Sequence, residues 1–482
     1  MVDLADLTLV EAADAVRKGD ATSHDLLSAC WDRMEEVNPT LNATIWVDRL
    51  GAERAARAAD ASRDTNEWSG PLHGVPLAHK DMYYQAGRLS TCGSRLRKDF
   101  RPDITSTAIE RLSAAGAYSF AGLNMAEFAQ NPTGHNREFG DCHNPWNPPY
   151  ITGGSSSGSG AAVAARFAYA ALGSDTGGSI RLPASACGVT GLKPTQTRVS
   201  RYGAMPLSFT LDNVGPLART ARDCARVMML IAGRDPKDPT SSHLPVPDYE
   251  GALDGDVRGM RIGIPENYFF DAADPAVTAA IEHAVEVLRA RGATVTRLTL
   301  PVMDAVSGYG SIISRVEAGA IHAEWMRHRA QDFAPHLSAR LYLGYAIPGP
   351  YYVESLSRRG PVLRAFAAEV FAKVDVLATP TIPMALPTLD ETDIDNGPAG
   401  TEAKVLAISA NTRPFNYLGL PAISIPCGFD ANGLPIGLQL AGRPFAEARL
   451  MRMADAYQRD TDWHRRHPPV LKASGPFGFI LA

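Results

Sequence analysis

Two glycine- and serine-rich segments hold the residues best suited to covalent chemistry, GGSSSGSG at 153–160 and GSDTGGSIRLP at 173–183. Each sets serines beside glycines, and neither contains a histidine. A serine hydroxyl attacks an acyl carbon only when a base takes its proton, so Ser179 needs a partner from elsewhere in the chain. The frame Gly154-Ser155-Ser156-Ser157-Gly158 matches G-x-S-x-G, which would make Ser156 the nucleophile of a strand–turn–helix elbow. That elbow needs a core strand before it, and NPWNPPYIT (144–152) reads poorly as one. It also needs a late histidine; His464 and His467 lie in the basic run WHRRHPP, which reads as solvated surface. No G-x-x-x-x-G-K-[ST] or G-x-G-x-x-G phosphate loop is present. There is no H-E-x-x-H and no paired Cys/His cluster, and Cys142-His143 are mere neighbours where a catalytic pair is normally assembled in space. A flexible linker is the ordinary use of a Gly/Ser run, but here an apolar stretch and a second glycine-rich turn follow at once.

The elements that must position these serines read as alternating strands and helices. Residues 8–37 predict two helices, with a capping box at Thr8-x-x-Glu11, a stop at Gly19, a restart at Thr22 or Ser23 and an end at Pro39. GVPLAHKDMYY (74–84) reads as a buried strand running into a loop. Residues 105–116 suit a helix, and 130–154, rich in Asn, Pro and Gly, form a long irregular loop of the kind that is usually functional. AAVAARFAYAAL (161–172) starts as a small-residue helix and ends as a strand. Residues 260–300 form a β-α-β unit, with Asp274-Pro275 opening its helix and Gly292 closing it. AISIPCGF and LPIGLQLAG flank an Asn432-Gly433 hairpin turn, and a helix follows at 446–459. The pattern predicts an α/β fold with a mixed sheet. The segments 235–250 and 386–403 read as surface loops, so one domain spans 1–482.

The 482 residues, 45% of them hydrophobic, are ample for a large core, and 21% charged residues argue against wholesale disorder. A net charge of −5 calls for neither direct nucleic-acid binding nor an anionic membrane. Six scattered cysteines without C-x-x-C fit reduced thiols in a cytoplasmic protein. The N-terminus shows no signal peptide and no apolar run reaches a membrane span.

The block GGSSSGSGAAVAARFAYAALGSDTGGSIRLPASACGVTGLKPT (153–195) closely resembles the amidase signature family. GVPLAHKD (74–81), NPWNP (144–148), LDNVGPLART (211–220) and PFNYLGLPAISIPCGF (414–429) resemble further family segments, so the likeness runs from about residue 5 to 468. It implies the amidase signature fold, a large, mixed, mostly parallel twisted sheet covered by helices on both faces. Carried over residue by residue, it makes Ser179 the acyl nucleophile, Ser155 a bridging serine behind a cis peptide, and Lys80 the base. The N–H groups of Thr176, Gly177 and Gly178, with that of Ser179, would form the oxyanion hole. A lysine serves as base only when neutral, and its place in the apolar run Val75-Pro-Leu-Ala78 supplies the burial that lowers its pKa. Asp175 and Arg181 read as buried supports of the turn. No cofactor or metal is implied.

The family chemistry is amide hydrolysis, and the first expectation is a stand-alone amidase for small or aryl amides, with a small-molecule amide as its partner and a homodimer as the base-rate assembly. The alternatives are the glutamine-hydrolysing component of a tRNA-dependent amidotransferase, and an aryl carbamate or anilide hydrolase. An acid expected before PFNYLGLP in the amidotransferase subgroup is replaced here by Ser409 or Asn411, with Arg413 close by, which argues against glutamine. The variable stretch 303–375 contains Tyr309, Trp325, Tyr342, Tyr345, Tyr351 and Tyr352. Most read as core; any facing the site would favour aryl or hydrophobic amides. His79, Met82 and Tyr83 would narrow the site or tune the lysine.

Overall fold

The computed structural model describes residues 3–471, so residues 1–2 and 472–482 of the expected domain lie outside the described residues. Among the described residues, eleven strands fall into two sheets. β1 (Thr44–Val47), β2 (Pro76–Lys80) and β3 (Tyr118–Leu123) form a small one in the order β1-β3-β2, with Lys80 as the last residue of β2. The large sheet takes β4 (Ala170–Asp175), β5 (Thr190–Lys193), β6 (Asn213–Ala218), β7 (Arg261–Pro265), β8 (Thr294–Leu298), β9 (Val376–Pro380), β10 (Ala422–Phe429) and β11 (Pro435–Gly442). Their order is β4-β6-β5-β10-β11-β9-β7-β8.

The sheet is mixed and covered by helices, as expected. Parallel pairing is gathered at one end, where β7 pairs β8 and β9, while β4, β5, β6, β10 and β11 pair antiparallel. The parallel share is smaller than expected because the crossover helix Pro275–Ala290 serves only β7 and β8, and the Asp430–Gly433 turn joins β10 to β11 as a hairpin. β4, β5, β6, β9 and β11 are buried at every residue. Such continuous burial marks strands covered on both faces.

Local signals act where the sequence puts them. Thr8 and Thr22 both form capping boxes, with Glu11 and Asp25, and Gly19 ends the first helix in a left-handed conformation. The second helix runs past Pro39 to Leu41 and stops at left-handed Asn42, because a proline this close to the end removes only one ladder bond. The stretch 303–370 folds as four α-helices, Met303–Ile321, Ala323–His328, Pro335–Ala346 and Gly349–Val370, with a short 3-10 turn at Ala330–Asp332.

The turn after β4 is seated on the sheet by Ile180, which is fully buried. A Cβ added to Gly173 of β4, Gly191 of β5 or Gly215 of β6 would lie 3.1, 3.0 and 3.1 Å from the Ile180 side chain. Three bare glycines on neighbouring strands thus make the hollow that receives the residue after Ser179. Ile180→Ala should cost about 2–5 kcal/mol, the usual range for emptying a close-packed site, and Ile180→Val about 0.5–1.5 kcal/mol. Denaturant unfolding of the two variants checks this; equal stability of Ile180→Ala and wild type would show that the hollow does not hold the turn.

Candidate active site

Lys80 and Ser155 come together although they are 75 residues apart, the Lys80 Nζ donating to Ser155 Oγ at 2.7 Å. A second hydroxyl, Ser174 Oγ on β4, accepts from the same Nζ at 2.8 Å. All three side chains are buried, Lys80 at 1% exposure. Burial pulls the Lys80 pKa down to about 7, against the opposing pull of Asp212 and Asp175. At neutral pH a large fraction of this lysine is therefore uncharged and able to accept a proton. Ser155 follows Gly154 through a cis peptide and sits just before the helix Ser157–Ala164.

Ser179 lies on the turn between β4 and the helix Arg181–Cys187, and this turn is fixed by a buried ion pair. Asp175 and Arg181 are both fully buried and 2.9 Å apart. Asp175 Oδ1 accepts from Gly178 N–H, Arg181 Nη2 and Asn416 Nδ2 at 2.8, 2.9 and 2.8 Å. Its Oδ2 accepts from Arg181 Nε at 3.0 Å and from Ile180 N–H at 3.3 Å. Burial would raise the Asp175 pKa, but the Arg181 charge and these bonds hold it down at about 2. Arg181 reaches on to Thr412 O, Gln439 Oε1 of β11 and Asn416 Oδ1. The two residues are supports of the turn, as read from the sequence.

One of the expected oxyanion donors is engaged elsewhere. Gly178 N–H is already given to Asp175, because the carboxylate collects the amides of Gly178, Ile180 and Arg181. The N–H groups of Gly177 and Ser179 make no hydrogen bond to another described residue, and both residues line the same pocket as Thr176. Gly178 serves instead by its shape: its φ is +133°, and a Cβ there would collide with Thr412 Oγ1. Thr176 Oγ1 donates to Asp212 Oδ1 at 2.6 Å.

Other candidates fall away from this centre. Ser156 is buried, bonded to the backbone of Ser174, and absent from the pocket wall. His464, read as solvated, is buried against the fold, and burial lowers its pKa to about 4; His467 is exposed near Asp6. His79 stays neutral, its pKa pushed to about 3 by burial, and its Nδ1 accepts from Leu172 N–H. Tyr83 donates to Gly173 O at 2.6 Å, so both brace β4 beside the lysine. The six cysteines are buried and unpaired.

The pocket over Ser179 is walled by residues that the sequence did not single out. Gln130, Ser311, Ser314, Arg315 and Arg340 join Ser409 and Arg413. None of the aromatics of 303–375 lines it. Tyr342, Tyr345 and Tyr351 are more than half exposed, Tyr309 stacks on Tyr417, and Trp325 packs on Phe128. No aromatic of 303–375 therefore favours aryl amides; the wall combines the arginines with Leu207, Leu211, Val405, Leu406 and Tyr417.

Comparison with known proteins fits this centre. The family model described as Amidase matches residues 25–451. The chain belongs to the amidase signature family. It is accordingly an amidase-type enzyme acting on a C–N amide bond. The A subunit of the Glutamyl-tRNA(Gln) amidotransferase of Roseiflexus castenholzii is 43% identical, covering 98% of this chain and 99% of that protein. The crystal structure of the corresponding Glutamyl-tRNA(Gln) amidotransferase subunit from Thermotoga maritima superposes with a TM-score of 0.81 at 30% identity, over 97% and 98% of the two chains. A chain of a vestigial protein complex linked to the origins of an s-triazine catabolic enzyme gives a TM-score of 0.88 at 32% identity, over 94% and 98%.

These findings correct two expectations. The stand-alone amidase for small or aryl amides is overturned by full-length relatives that are amidotransferase subunits. With it goes the expectation that a free small-molecule amide is the sole partner, without nucleic acid and in a homodimer. No helix among the described residues is long and apolar enough to cross a membrane.

The lysine makes a pH prediction. Because the pKa is lowered, the neutral base is present above about 7 and lost below it, so kcat/KM for amide hydrolysis should rise with pH with a midpoint near 7. Ser174→Ala removes an acceptor that favours the charged ammonium, and should move the midpoint lower. A pH–rate profile flat from 5 to 9, or a midpoint raised by Ser174→Ala, would contradict this account.

Proposed function

We propose that the chain is the amide-hydrolysing component of an amidotransferase of the Glutamyl-tRNA(Gln) type, releasing ammonia from glutamine for use by partner subunits on a tRNA-bound glutamyl group. The observation that carries this reading is the relationship itself, 43% identity over 98% of the chain to a protein of that name. The pocket adds support: an arginine-rich wall over Ser179 suits an acyl group that bears a carboxylate, as glutamine's does.

Ser179 Oγ attacks the side-chain carbonyl carbon. Its proton passes to Ser155, whose own proton goes to neutral Lys80 across the 2.7 Å contact. The oxygen that becomes negative lies at the free N–H groups of Gly177 and Ser179, with Thr176 beside them. A donor of this kind typically contributes about 2.7–4 kcal/mol to the transition state. Collapse breaks the C–N bond, the proton held by Lys80 returns through Ser155 to the leaving nitrogen, and ammonia departs. Water then enters and cleaves the Ser179 ester by the same relay, giving glutamate.

The test is to express the chain with and without candidate partner subunits and to follow ammonia from glutamine and amidation of glutamyl-tRNA. Glutamine hydrolysis that falls at least about 1000-fold in Ser179→Ala and in Lys80→Ala, together with tRNA amidation in the presence of partners, is the expected result. Hydrolysis that survives Ser179→Ala, or a chain that takes no partner and leaves glutamyl-tRNA unchanged, would overturn the reading.

A further inference from the structure

The charge of the acyl pocket is unbalanced. Arg315, Arg340 and Arg413 all border it, and no aspartate or glutamate is among the described residues of its wall. Arg340 Nη1 donates to Gln130 O at 3.0 Å, and Arg413 Nη2 donates to Leu406 O and Ser409 Oγ, both at 2.6 Å. These are neutral acceptors. Arg315 makes no side-chain hydrogen bond or ion pair to any described residue. Burial and the neighbouring arginines lower the pKa of Arg340 to about 10, with exposed Glu402 the opposing charge. The carboxylates behind the wall are spent elsewhere: Asp175 on Arg181 and the turn, Asp212 on Thr176, Leu207 N–H and Ser208 N–H.

A second observation points to a ligand in the same place. Gln130 is 4% exposed, lines the pocket, and has no hydrogen-bond partner on either Nε2 or Oε1. Buried amide groups are ordinarily bonded, so this side chain is set to meet something that enters. Its Nε2 is a donor, as are the three guanidiniums. Its one neutral acceptor atom is weak support for a cation held among three positive charges.

We propose that this pocket reads its amide through a carboxylate and carries no anionic group to pair with an ammonium, with Gln130 and Arg340 as specificity-determining residues. Monoamides of dicarboxylic acids that lack the amino group are then substrates at least as good as glutamine. This rests on the reading of Ser179 as the amide-cleaving nucleophile, and it separates two features of glutamine that the proposed function leaves together.

Four amides of one length make the test: glutamine, 4-carbamoylbutanoate without the ammonium, 4-aminobutanamide without the carboxylate, and butanamide without either. They are assayed for ammonia release by the full-length chain, with any partner subunit that copurifies. Loss of the carboxylate should lower kcat/KM about 100-fold, as expected when a charge-assisted contact is lost. Loss of the ammonium should leave kcat/KM unchanged or raise it. Gln130→Met and Arg340→Met should each cut the preference for 4-carbamoylbutanoate over butanamide about tenfold, mainly through KM; a merely structural role would lower both substrates alike. If glutamine is cleaved while 4-carbamoylbutanoate is tenfold or more poorer, the inference is wrong and the proposed function stands. Silence toward all four amides overturns the proposed function and the inference with it.

Discussion

The geometry of the turn that carries Ser179 depends on one fully buried ion pair, Asp175 with Arg181. Burying two charges is costly, and a pair of this kind is tolerated only when nearly every lone pair and proton finds a partner. Here Asp175 is satisfied by the turn that follows it, and Arg181 by β11 and the short helix Arg413–Tyr417. Asp175 draws in the N–H groups of Gly178 and Ile180, so those of Gly177 and Ser179 are left to the pocket side. One carboxylate thereby folds the turn and leaves the amides of Gly177 and Ser179 free.

The second constraint is the burial of Lys80. A lysine closing a strand of the small sheet is brought under the large sheet, where Ser155 and Ser174 are its hydrogen-bond partners. Low polarity around it favours the neutral amine, while Asp175 and Asp212 keep it from losing its charge altogether. Asp175 thus joins both halves of the centre: it shapes the turn of Ser179 and helps to set the basicity of Lys80. The same economy appears in Asp212, which binds Thr176 and the backbone at Leu207 and Ser208.

Much of this was legible in the sequence, for identifiable reasons. The capping box at Thr8, the helix restart at Thr22, the Asn432-Gly433 hairpin and the β-α-β unit at 260–300 are local signals that short-range chemistry enforces. Ser179 stood out on its glycine-rich turn, whereas Ser155 and Lys80 were reached through the resemblance to the amidase signature family, since the first glycine-serine run by itself pointed to Ser156. The pocket was not legible. Gln130, Arg315 and Arg340 come from a loop and two helices far apart in the chain, and an arginine on a helix reads as surface until tertiary packing encloses it. Ser174 was hidden for a similar reason, since only the pairing of the two sheets shows that it faces the lysine. The aromatics of 303–375 misled for the opposite reason: they lie outside the pocket, and three of them are more than half exposed. The parallel share of the sheet was overread because strand pairing is decided by crossovers that composition does not reveal.

The central claim is that Ser179 is the nucleophile and that buried Lys80 makes it one. The most direct measurement is the rate at which a serine-reactive fluorophosphonate labels the protein between pH 5 and 9, with the modified residue located by peptide mass spectrometry. A single label on Ser179 is expected, at a rate that climbs through about pH 7, with loss of that climb in Lys80→Ala. A label on Ser156 or Ser155, or unchanged labelling of Ser179 in Lys80→Ala, would contradict the claim.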